Sequence, residues 1–83
     1  MKLPAKHAKI IGNAILVAQI DYQMFYSMLD QGNEASAELF KSSHAKAIKT
    51  LRSYGIEAGR TIYEIEADLM KELTKNYEHA EIA

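Results

Sequence analysis

Cysteine is absent from all 83 residues, so neither a disulfide nor a thiolate zinc site can brace this chain. Proline occurs once, at Pro4, and leaves every later segment free to be helical. Arginine occurs twice, as Arg52 and Arg60. A catalytic site for an anionic substrate inside a helical dimer needs several inward arginines, and both of these lie near a turn. His7, His44 and His79 form no His-Glu-x-x-His motif and no Glu-x-x-His pair, and His79 directly follows Glu78, so the two point to different faces of a helix. No spacing suggests a nucleophile–base pair; His44 is expected to be a core-margin residue hydrogen-bonded to backbone. The expectation is therefore no enzyme, no metal, no cofactor and no small-molecule substrate. No internal repeat, low-complexity segment or strand signal is present.

What remains is apolar and helical. The hydrophobic fraction is 48%, with charged residues of both signs, which argues against disorder. A chain this short makes one domain, 1–83, and buries little more than ~60% of its unfolded surface. Its stability must come from long well-packed helices, from oligomerisation, or from both.

The stretch Ile10–Leu29, IIGNAILVAQIDYQMFYSML, is apolar on two faces. At 100° per residue, Ile11, Ile15, Ala18, Tyr22, Phe25 and Leu29 recur at intervals of 4, 3, 4, 3 and 4, the spacing of a packed seam. A second row holds Ile10, Val17, Ile20, Met24 and Met28, with Leu16 at its margin. Left bare, that row is an apolar patch of a kind monomers rarely expose. It is covered either by the chain's own other helices or by a partner, and the expected partner is a second copy. Six of the twenty residues are Gly, Asn, Gln, Asp, Gln and Ser, too many for a hydrocarbon-spanning helix. Gly12, Asn13 and Gln19 likewise dilute any signal-peptide reading of the segment that follows Lys2, Lys6 and Lys9. No membrane association and a cytoplasmic location are expected.

Taken in order, the chain reads as three helices, at about 5–30, 34–53 and 57–78. Asp30-Gln31-Gly32-Asn33 is a stop and restart, with Gly32 closing one helix and Asn33 capping the next, so the first two helices form an antiparallel hairpin. On helix 2, Ala37, Phe40, His44, Ile48 and Leu51 share a narrow stripe with Ala47 beside it. Gly55 ends that helix. Helix 3 begins either near Ile56, tolerating Gly59, or at Ile62 behind a Thr61/Glu64 capping box. Ile62, Ile65, Leu69, Leu73 and Tyr77 then recur at 3, 4, 4 and 4, an expected core stripe, and Tyr77–Ala83 is expected to fray. The fold class is all-α: a three-helix antiparallel bundle with a long N-terminal helix, forming a helical dimer.

Charge is polarised. Residues 1–54 carry seven Lys/Arg against four Asp/Glu, or +3; residues 57–83 carry three against seven, or −4. The region around residues 44–70 has the flavour of a helix-turn-helix, which would use Lys46, Lys49, Arg52 and Arg60 on nucleic acid. Carboxylates at Glu64, Glu66 and Asp68 would repel phosphates, which makes nucleic acid the weaker expectation. The sequence favours a small non-enzymatic interaction protein, regulatory, inhibitory or adaptor in kind, acting through Ile10, Val17, Ile20, Met24 and Met28.

Overall fold

Three helices account for most of the chain: α1 (Ala5–Asp30), α2 (Glu34–Ser53) and α3 (Ile62–Ile82). The computed structural model describes residues 4–82, with side chains through residue 75. Pro4 stands at the N-cap of α1, extended at φ −55° and ψ 148°, and its carbonyl accepts from the N–H groups of His7 and Ala8. Both hairpin helices end in the same device. Gly32 and Gly55 take φ of +74° and +75°, and the next residue reaches back, Asn33 N–H to Met28 O at 2.8 Å and Ile56 N–H to Leu51 O at 3.1 Å. This Schellman closure satisfies carbonyls that a helix end leaves orphaned and wants a left-handed residue that glycine supplies without strain. The Asn33 side chain then accepts from Ser36 N–H at 3.1 Å, restarting the chain as α2.

The α1–α2 hairpin is the body of the molecule. Its seam runs through Ile11, Ala14, Ala18, Asp21, Phe25 and Met28 on α1, at intervals of 3, 4, 3, 4 and 3. The predicted seam shared only Ile11, Ala18 and Phe25 with this one. Ile15, Tyr22 and Leu29 stand exposed, because α2 sits about half a residue's rotation further round, over Ala14, Asp21 and Met28. On α2 the expected stripe is the buried one, with Ala37, His44, Ala47, Ile48 and Leu51 enclosed and Phe40 half-buried. The core falls into two clusters: Ala18, Ala47 and Ile48, with Ala58 against them, and Phe25, Ala37 and Ile62, with Met28 and Phe40 against them. Alanines form the floor, so the helices approach closely but few large side chains are enclosed.

Segment 54–61 is not helical, and α3 starts at Ile62, not near residue 57. Gly59 at φ +83° cannot continue a right-handed helix. The capping box forms in both directions: Thr61 N–H donates to Glu64 Oε1 and Glu64 N–H to Thr61 Oγ1, each at 3.1 Å. Ile62 is wholly buried against the hairpin. Beyond it the expected core stripe does not pack: Ile65 is half-buried, while Leu69 and Leu73 are 58% and 54% exposed. Tyr77 lies outside the residues whose side chains are described.

The third helix therefore touches α2 near its own start and does not close a three-helix bundle within one chain. Overall dimensions of 58 × 31 × 13 Å and a radius of gyration of 16.5 Å describe a flat, extended molecule. A compact domain of this length has a radius near ~12 Å.

Candidate interaction surface

Of the five residues expected to form an interface, three are surface residues. Ile10, Val17 and Ile20 are 37%, 39% and 56% exposed, and Leu16 beside them is more exposed still. Met24 is half-buried. Met28 is likewise half-buried, packed against the Phe25–Ala37–Ile62 cluster. Ile10 and Val17 border an open groove of about 280 Å³ between α1 and α2, floored by Ala14 and Ala47 and walled on the α2 side by Lys46 and Thr50. The opposite edge of α1 exposes a second apolar set that the sequence reading had assigned to the core. Ile15, Tyr22 and Leu29 lie there, with Tyr22 and Tyr26 in edge contact at 5.0 Å between ring centroids. Burial, together with the Tyr22 hydroxyl nearby, raises the pKa of Tyr26.

The four expected nucleic-acid contacts divide evenly. Lys46 and Lys49 stand on the exposed side of α2 with Leu39 and Tyr63. Arg52 is occupied: Nη1 pairs with Glu64 at 2.8 Å and Nη2 donates to the Gly59 carbonyl at 2.8 Å. Arg60 pairs with Asp68. Lys41 pairs with Glu66, lies over the Tyr63 ring at 4.6 Å, and has its pKa raised chiefly by the Glu66 hydrogen bond. The Arg52–Glu64 and Lys41–Glu66 pairs fasten the first turns of α3 to the flank of α2. The Arg52 guanidinium and the Thr61 N–H together hold the Glu64 carboxyl down at about 2, against an ordinary 4.5. Segment 54–61 is also longer than the tight turn of a helix-turn-helix. Two of the four basic groups are thus spent inside the chain, next to the carboxylates that would repel phosphate.

A polar pair interrupts the hairpin seam. Asp21 is 7% exposed and His44 4% exposed, and Asp21 Oδ2 and His44 Nδ1 have no hydrogen-bond partner. The backbone hydrogen bond expected for His44 is thus not made at Nδ1. The Tyr22 ring lies against the imidazole, 5.8 Å between centroids. Burial lowers the His44 pKa, and the Asp21 charge offsets this only in part. The remaining described histidine, His7, is hydrogen-bonded through Nδ1 to the Tyr54 hydroxyl at 2.7 Å, tying the start of α1 to the end of α2. Among the described residues no group of three or more His, Asp or Glu side chains is placed to hold a metal ion, and no helix is long and apolar enough to cross a membrane.

No family model, no curated protein and no solved structure matches this chain.

Proposed function

We propose that this chain is a small protein-interaction module without a catalytic role, whose working surface is the outer apolar face of α1, and that a second copy is its first partner. The observation that carries this reading is the exposure of Ile10, Val17 and Ile20 on the side of α1 that the chain's own α2 leaves uncovered. Apolar surface of this kind gains roughly 25 cal/mol per Å² when removed from water, and a monomer has no means to realise that gain. A regulatory, inhibitory or adaptor role suits a protein whose assets are surfaces.

The test is the oligomeric state. Wild-type protein should elute as a dimer in light-scattering chromatography, and Ile20→Glu or Val17→Glu should yield a soluble, helical monomer. A wild-type chain that stays monomeric at high concentration would sink the self-association. The nucleic-acid alternative uses Lys46 and Lys49, which make no ion pair among the described residues, and predicts retention on DNA or RNA that falls steeply as salt rises. Absence of binding at low salt would remove it.

A further inference from the structure

We infer that α3 is an exchange arm: its apolar stripe seats in the Ile10/Val17 groove of a second copy, and that copy's arm returns the contact. This rests on the self-association proposed above and specifies how it is built.

The first support is area. The chain exposes 6441 Å². A compact monomer of 9.3 kDa exposes about 5,000 Å². The excess, about 1,400 Å², is more than the roughly 800 Å² each partner of a stable complex buries. The large apolar side chains left exposed include those on the outer face of α1 and the arm's Leu69, Met70 and Leu73.

The second support is reach. Ala58 and the segment leading to α3 border the cavity on the Gln19/Tyr22 edge of α1. The Ile10/Val17 groove opens on the other edge, more than 150° round the helix by the 100° step. Ile62, Glu64 and Glu66 fasten α3 to its own hairpin on the first side. The arm therefore cannot fill its own groove, while the arm of a second copy can.

The third support is charge. Lys46 walls the groove, Lys6 and Lys9 lie close by along α1, and among the described residues these three make no ion pair. Glu72 stands beside Leu69 and Leu73 on the arm and likewise makes no ion pair among the described residues. In a two-fold assembly the Glu72 of each arm thus faces the Lys46 edge of the other chain's groove.

The absence of cysteine makes the test clean. Chains bearing Leu73→Cys, isotopically labelled, are mixed with unlabelled Val17→Cys chains, each first checked for wild-type helicity by circular dichroism. A short bis-maleimide linker is added, and products are weighed by mass spectrometry. The arm exchange predicts that the mixed product, one labelled and one unlabelled chain, far exceeds the roughly twofold excess over each self-linked product that random pairing of equal amounts gives, and is lost on adding Leu69→Glu to the labelled chain. Dominant Val17→Cys self-linking would overturn the arm and leave an α1-to-α1 dimer, so the α1 reading would survive. Dominant Leu73→Cys self-linking would overturn the arm in favour of arm-to-arm pairing. No linking, with a monomer by light scattering, would overturn both.

Discussion

The α1–α2 hairpin and the α3 arm are made of similar material and end in different states. Each presents apolar residues at helical spacing with charges on the other side. In the hairpin, a turn of three residues, Gln31 to Asn33, forces α2 to run back along α1, and the two stripes enclose one another. In the arm, segment 54–61 sets Ile62 into the hairpin core and then releases the helix, so Leu69 and Leu73 stay more than half exposed. An amphipathic stripe therefore shows that a helix wants a partner. The connection before it decides whether that partner lies in the same molecule.

Truncating one apolar side chain in each region should separate them most widely. Phe25→Ala removes the largest buried side chain of the hairpin and should cost about 3–5 kcal/mol, most of the stability of a domain this small. Leu73→Ala, measured in dilute monomer, should change stability by less than about 0.5 kcal/mol. Urea melts followed by circular dichroism compare the two directly. A loss at Leu73 as large as that at Phe25 would mean that the arm packs in its own chain.

A smaller effect of opposite sign is expected inside the hairpin. Asp21 puts an unpartnered carboxylate oxygen into the buried hairpin seam, which costs the folded state free energy. Asp21→Leu should raise stability by about 1–3 kcal/mol, read as a higher urea midpoint at unchanged slope. A lower midpoint would show that the carboxylate has a stabilising partner in solution. The polar pair would then be an asset of the seam, as a buried polar group that fixes register is in some coiled coils.

Local signals were legible in the sequence wherever their cause is local. The Gly32–Asn33 turn, the Gly55 stop and the Thr61/Glu64 capping box all rest on side-chain chemistry within a few residues, and each forms. The α2 stripe was equally plain, because alanine on one side and charge on the other leave a single choice. The α1 seam was not, since Ile15 and Ala14 sit one step apart and both rows are apolar enough to serve. Apolarity alone favoured the larger side chains; packing chose Ala14, Ala18 and Asp21, because small residues let α2 approach. The groove followed from that choice, which set Met28 against the core cluster and left Ile10 and Val17 exposed. Nothing in the periodicity of α3 could show that its stripe would go unpaired, since that depends on the path of segment 54–61.

The joint between the two regions offers finer tests. Thr61→Ala deletes one half of the capping box and should cost about 1 kcal/mol, confined to α3 and visible as faster amide exchange in its first turn.

Acid should separate the regions without any mutation. His44 is held neutral in the fold by burial, so its pKa lies below the ordinary 6.5 and the unfolded chain takes up the proton first. The hairpin's contribution from a neutral His44 is therefore whole above about pH 6.5 and declines as pH falls below it. Glu64 is held ionised by Arg52 and the Thr61 N–H, at about 2 against an ordinary 4.5. Its contribution is whole above about pH 4.5 and is lost as pH falls toward 2. The order follows: hairpin resonances near His44 should respond to falling pH before those of Thr61 and Glu64, with the arm's joint still intact when the seam begins to loosen. Amide shifts followed by NMR from pH 7.5 to 2 read both in one titration. If Thr61 and Glu64 moved first, the joint would be held by something other than the Arg52–Glu64 contact, and the arm would have to be re-drawn from its first turn.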